Sequence, residues 1–370
     1  MSGVNTINPA RKLYRLWLTV CCFSLALVSV PALSEVKFQD PLDTPADMRK
    51  SLSTRTLQAI AHAGPRLVAV GSRGLVIVSD DQGKTWVQGQ VPVQSDLLAV
   101  QFPTANDGWA VGHDGVVLHT ADGAKTWTKQ LDGRIAGEAF TAYYTKMGAD
   151  GAAELTTMGV NYKAGPALPL LDVWFDDSNT GYAVGSYGML IATRDGGKSW
   201  EPWLHRIDNK ERLNLNGIRG IGKELYVFGE HGQIYRLDRS RGYFTKTDTG
   251  YNGSFFGIAG IDDTLIAYGL RGTIYRSGDL GKHWEAVPLL SEQTIAAGIA
   301  RSDGEGFVLI NAAGQFLLLD KTGKNVRLLP QSKPMRTTGI AAVGPDTFVV
   351  TGIEGLRIET PRDATATTPR

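Results

Sequence analysis

The chain has 370 residues, with 38 Lys and Arg against 37 Asp and Glu. That balance excludes a nucleic-acid binder, which needs a basic surface to displace counterions, and an acidic disordered tail. With 44 Gly, the composition is that of a turn-rich, all-β fold, large enough for one large domain or two ordinary ones.

Residues 1–34 read as a secretory signal peptide. Arg11, Lys12 and Arg15 precede an apolar stretch from Leu16 to Val30, and Ala32 and Ser34 are the small residues of a cleavage site after Ser34. The apolar stretch is short for a bilayer span of roughly 20 residues, so cleavage is expected rather than anchoring. Val20 before Cys21 is too bulky for a lipidation site, and Cys22 follows Cys21. Cleavage removes both cysteines, which excludes disulfides and thiolate metal sites. The loss of three cations turns a net charge of +1 slightly negative. Export to the periplasm is the expected location.

The mature chain, 35–362, repeats. Seven apolar segments each end in a turn, usually G-x-x-G: RLVAVGSRG from Arg66, NDGWAVGHDG from Asn106, TGYAVGSYG from Thr180, ELYVFGEHG from Glu224, TLIAYGLRG from Thr264, GFVLINAAG from Gly306 and TFVVTGIEG from Thr347. Ahead of each lies a pair such as Ala59-Ile60 or Gly257-Ile258, and a third apolar segment follows. A fourth begins at Trp86, Trp127, Trp200 and Trp284 in the clearest copies. Four short strands per copy of roughly 40 residues make a propeller blade. The fold expected is an all-β, seven-bladed β-propeller of four-stranded antiparallel blades. The seventh copy stops after its third strand, so 36–42 (VKFQDPL) is expected to supply the missing outer strand of blade 7. Residues 363–370 read as a disordered tail.

The turn before the fourth strand follows S-x-D-x-G-x-T-W. It is clear at Ser79–Trp86 (SDDQGKTW), Thr120–Trp127 (TADGAKTW), Thr193–Trp200 (TRDGGKSW) and Ser277–Trp284 (SGDLGKHW), and eroded at 237–244 and 319–326. Its Asp and Ser or Thr bond turn amides, Gly supplies positive φ and Trp pins the hairpin. These acidic residues are structural.

Trp127 and Trp200 are 73 residues apart, against 41 between Trp86 and Trp127. The excess reads as a helical hairpin, 134–166, between blades 2 and 3. Phe140, Tyr143, Tyr144 and Met147 line one side of the first arm, and Leu155, Met158 and Tyr162 one side of the second, which Gly159 weakens. Two readings stand: the hairpin packs on the propeller, or Phe140, Tyr143 and Tyr144 dock a partner.

These turns resemble the Asp-box, or bacterial neuraminidase repeat, and the sevenfold arrangement resembles the photosystem II stability and assembly factor family. The resemblance covers about 36–360. It implies a non-enzymatic factor that holds membrane-protein intermediates. In non-photosynthetic bacteria the relatives accompany exporters of the resistance-nodulation-division type, so the implied partner is a membrane-protein complex or such an exporter.

Antiparallel order puts the Asp-boxes on one face. The turns between second and third strands share the other face with the crossovers to the next blade. That second face gathers Arg73, His113, Asp114, Tyr187, Glu230, His231, Arg271 and Glu354, and the helical insertion. Two readings of these turns stand: ordinary polar loops, or a contact ring anchored on Arg73 and Arg271. In the axial column Ala61, Gln101, Trp174, Arg219, Ala259, Ala300 and Ala341, Trp174 and Arg219 are candidates to line a ligand site in the channel. A sialidase-like or glycan-binding propeller is the alternative class. A sialidase needs three Arg on one carboxylate, and Arg73, Arg219 and Arg271 with Tyr187 give a partial set without a Glu paired to Tyr187. The six histidines lack metal-ligand spacing. No cofactor, metal, catalytic residue or nucleic-acid partner is expected, and the chain is expected to be a monomer.

Overall fold

The structure is a computed structural model that describes residues 39–329 and 333–361. The expected signal peptide at 1–34, residues 35–38 and the expected tail at 363–370 lie outside the described residues. Seven antiparallel sheets follow one another along the chain: blade 1 (57–88), blade 2 (97–131), blade 3 (170–202), blade 4 (215–247), blade 5 (255–286), blade 6 (295–328) and blade 7 (337–359). Six have four strands and blade 7 has three among the described residues. The first strands of successive blades touch all the way round, and that of blade 7 touches that of blade 1. First strands therefore line the axis of a closed ring.

Second strands such as Gly108–Gly112 and Gly181–Gly185 are buried at every residue. A strand covered on both faces reads as a continuous apolar run, which is why the GWAVG-like segments mark the repeat. Large side chains then meet between blades. Trp109 of blade 2 stacks on Phe175 of blade 3 with ring centroids 3.5 Å apart. The G-x-x-G turn has two separate causes, both visible at Gly112 and Gly115. A Cβ on Gly112 would lie 2.0 Å from the Asp96 carbonyl oxygen, so the chain entering the blade requires glycine there. Gly115 has φ +64, a left-handed conformation open to glycine.

The turn that resembles the Asp-box is a self-contained knot of hydrogen bonds. Asp81 accepts from the Thr85 hydroxyl and amide and from the Ser79 hydroxyl, while the Ser79 oxygen accepts from the Gly83 amide. The Thr85 bonds hold the Asp81 carboxyl down at about 2. The same pattern recurs at Asp122, Asp195 and Asp279. Turns on this face are also tied to the blade before, the intact ones at Asp122 and Asp195 and the eroded ones of blades 4 and 6. Arg66 donates to the Gly123 carbonyl, Gln130 to Gly196, Arg206 to Gly242 and Arg276 to Thr322.

The expected helical insertion is present as α1 (Gly133–Met147) and α2 (Ala152–Asn161), joined by a single 3-10 turn. Asp132 caps α1 by accepting from the Arg134 and Ile135 amides. Gly159 is accommodated because α2 is held by tertiary packing of Met158 and Leu155 rather than by propensity.

One expectation needs correction. The described part of the 36–42 segment, Gln39–Leu42, forms no strand and does not lie along the third strand of blade 7. Leu42 is instead buried with Val91, Val93 and Val116 near blades 1 and 2. The physical reason is the pull of Leu42 into that apolar cluster, reinforced by Asp40 and Asp43 on Arg134. Blade 7 meets blade 1 by other means. The Thr338 hydroxyl donates to the Leu57 carbonyl and the Thr56 hydroxyl to that of Ile353, while Trp86 packs with Val349 and Leu67.

Candidate partner-binding face

Five turn residues share an unusual backbone. Arg73, Asp114, Tyr187, His231 and Arg271 have φ between 52 and 59, at equivalent places in blades 1 to 5. For a residue with a Cβ this conformation costs about 1–2 kcal/mol, and it persists where neighbouring groups overdetermine it. Here the next blade supplies those groups. The Arg73 amide donates to Asp96 Oδ1 (2.7 Å), that of Tyr187 to Asn214 Oδ1 (2.8 Å) and that of Arg271 to Thr294 Oγ1 (3.3 Å). Each acceptor stands immediately before an inner strand. In these three turns the backbone is therefore fixed while the side chain stays exposed. Tyr187 is 58% exposed, and Arg73, His113, His231 and Arg271 are exposed.

The charges on this face are unequally occupied. Glu354 accepts from the Arg336 Nε (2.7 Å) and amide, which hold its carboxyl below the usual range. Glu230 accepts from Asn214 twice, and Asp114 accepts from the Ser95 hydroxyl. His231 Nδ1 lies 3.8 Å from Glu211. Arg73 gives one hydrogen bond, from Nη2 to Gln94, out of five available donors. Among the described residues, the carboxylates Asp114, Glu230 and Glu354 have partners, whereas donors of the Arg73 guanidinium remain. Leu270 and Ile353, 38% and 41% exposed, stand beside Arg271 and Glu354. Cationic and apolar surface is thus available together.

Trp174 and Arg219 meet at the axis. The Arg219 guanidinium lies 5.5 Å from the Trp174 ring centroid and 3.3 Å from Asp172 Oδ2. Desolvation raises the Asp172 carboxyl, against the opposing pull of Arg219 and of the Ile218 amide. Gly220 is required beneath the indole, because a Cβ would come within 2.4 Å of it. A cavity of about 410 Å³ opens beside this group, lined by Arg219, Phe256, Tyr268 and Ile299 among others.

The insertion divides the residues that were candidates for docking. Phe140 and Tyr144 are 1% and 0% exposed, packed with Trp109, Phe175, Met189 and Trp200. The Tyr144 hydroxyl accepts from the Leu204 amide (3.0 Å), and burial pushes its pKa far up. These two are core residues and offer nothing to a partner, because helical spacing turns both toward the propeller. Tyr143 is half-buried, edge-on to Tyr144. The outward surface of the hairpin is carried by Ile135 and Val160, 52% and 57% exposed.

Sequence reading missed Asp96, Asn214 and Thr294. The signal was their regular place one residue before an inner strand. The three arginines of the glycan-type alternative do not share a site: Arg73 and Arg271 stand in turns of blades 1 and 5, Arg219 at the axis in blade 4. Among the described residues no group of His, Cys, Asp and Glu could hold a metal, and no helix is long and apolar enough to cross a membrane.

Comparison with known proteins places this geometry. The family model described as photosynthesis system II assembly factor YCF48 matches residues 59–168 and 167–334. A Photosystem II assembly lipoprotein Ycf48 from Synechococcus sp. (strain CC9902) is 28% identical over 251 residues, 60% of this chain and 72% of that protein. A chloroplastic Photosystem II stability/assembly factor HCF136 from Cyanidioschyzon merolae (strain NIES-3377 / 10D) is 27% identical over 327 residues, 77% of this chain and 73% of that one. The solved structure described as YCF48 bound to D1 peptide superposes with a TM-score of 0.62 at 16% identity, over 88% of this chain and 98% of that one. With the match extending over most of the described propeller, the chain belongs to the photosynthesis system II assembly factor YCF48 family.

Proposed function

We propose that this protein is a non-enzymatic assembly or holding factor that works outside the cytoplasm and grips a segment of an integral membrane protein. The contact face is the one formed by the Arg73, Tyr187 and Arg271 turns, with Tyr143 and the outer surface of the hairpin at its border. Relatives described as photosystem II assembly factors, and one described as bound to D1 peptide, support a membrane-protein partner. An exporter of the resistance-nodulation-division type is the specific partner proposed. The observation that carries the reading is the set of left-handed turn residues with exposed side chains. Glycine would adopt those turns without strain, so the side chains are the reason to bear it.

The test is affinity capture from solubilised membranes with the Arg73→Glu/Arg271→Glu double variant. Reversing both charges is expected to remove the membrane partner. Retention of every partner at wild-type yield would overturn the reading.

A further inference from the structure

The segment that leads into blade 1 lies on this same face, and it seats there as a bound peptide would. Among the described residues it has neither helix nor strand before the turn at Leu52–Thr54. The Gln94 amide donates to the Pro41 carbonyl (2.7 Å), the Ala46 amide to the Val91 carbonyl (2.9 Å) and Gln94 Nε2 to the Pro45 carbonyl (3.1 Å). Leu42 is buried with Val91, Val93 and Val116. Asp43 takes both terminal nitrogens of Arg134, at 2.8 and 2.9 Å, and Lys129 Nζ at 3.2 Å. Asp40 lies 3.4 Å from Arg134, and Lys129 also donates to the Leu42 carbonyl (2.7 Å).

Main-chain bonds plus one apolar pocket plus flanking charge is how grooves read extended peptides. The groove's cations stand ready without the strap, because buried Asp132 holds Lys129 at 3.0 Å and Arg134 at 2.8 Å. Gln94 also accepts from Arg73, which joins the groove to the exposed turns. The strap's own ion pairs are largely exposed. Such pairs hold weakly and are screened by salt, which leaves buried Leu42 and the bonds to the strap's main chain as the contacts that a trans segment must replace.

We propose that residues 40–46 occupy a peptide groove in cis, and that the same groove takes, in trans, an extended partner segment with a proline and one large apolar residue between two acidic ones. In the strap this reads Asp40-Pro41-Leu42-Asp43. The proposal rests on the reading that this face meets the partner, and adds the chemistry it selects.

The probe is a fluorescein-labelled peptide of residues 39–47, QDPLDTPAD. It is titrated into the wild-type chain, the strap variant Leu42→Asp/Asp43→Lys, and that variant carrying Arg134→Glu. The released strap is expected to tighten peptide binding at least tenfold over wild type, and Arg134→Glu to reverse the gain. Hydrogen exchange on the wild type keeps the test independent of variant folding. Saturating peptide is expected to speed exchange of the Ala46 amide and leave that of Gln94 protected. Equal binding to all three proteins, a scrambled peptide that binds as well, or an Ala46 amide indifferent to peptide overturns the proposal. None of these outcomes touches the Arg73→Glu/Arg271→Glu capture, so the two readings fail separately.

Discussion

The two faces of the propeller use polar residues in opposite ways. On the Asp-box face the carboxylates close on their own turns, and Arg66, Gln130 and Arg276 tie the turns of blades 2, 3 and 6 to the previous blade. The acidic groups of these turns are thereby committed to the fold, while Lys84, Lys125, Lys198 and Lys282 stand exposed beside them. On the crossover face the backbone is what is tied down, by Asp96, Asn214 and Thr294, and the side chains are left out. The first arrangement makes a ring that keeps its shape. The second makes a surface that presents chosen groups at fixed positions, which lowers the ordering cost of binding. An acidic turn motif therefore identifies the fold, and its carboxylates are spent on holding it.

The sharpest challenge to this division is the insertion, which belongs to the crossover face but sends Phe140 inward. Phe140→Ala is expected to destabilise the protein by about 3–5 kcal/mol in denaturant unfolding, the usual cost of emptying a buried aromatic site. A loss below about 1 kcal/mol would mean the hairpin only rests on the blades. On the Asp-box face, Arg66 holds Asp80 at 2.7 and 2.9 Å and the Gly123 carbonyl at 2.7 Å. Arg66→Ala should cost about 1–2 kcal/mol and leave partner capture unchanged.

Tyr187→Gly separates the faces most cleanly. Relief of its left-handed backbone should raise stability by about 0.5–1 kcal/mol while weakening partner binding. A variant that loses stability would show that the turn is not strained. The smallest effect is that of pH. Asp81 is held at about 2, mainly by the Thr85 hydroxyl, below the unfolded value near 3.9. A depressed carboxylate stabilises the fold above the unfolded pKa and loses that contribution as pH falls toward the folded one. Melting temperature should therefore be flat in this respect above about pH 5 and fall between about pH 4 and pH 2, with Asp81→Asn removing part of the slope.

The sequence made the ring legible because each blade solves the same local problem. Buried second strands give the GWAVG-like runs, and Gly112 and Gly115 mark a close approach and a left-handed turn that any reader of spacing can find. The position of the exposed turn residues followed from antiparallel order alone. What stayed hidden depends on contacts far apart in sequence. Nothing local distinguishes Arg66 as a tie to Gly123, or Asp96 as the acceptor for Arg73. Leu42 read as part of an outer strand, because apolar alternation does not reveal which apolar cluster a segment joins. Phe140 and Tyr144 were identified as one side of a helix, but spacing does not say whether that side faces core or solvent.

Site-specific photo-crosslinking in intact cells compares the faces directly. A benzophenone side chain is placed in turn at Tyr187 and at Arg271 on the crossover face, and at Thr85 and Lys198 in the Asp-boxes. Adducts with a membrane protein are expected from Tyr187 and Arg271 and absent from Thr85 and Lys198. Adducts from the Asp-box positions alone would contradict the assignment of the working face.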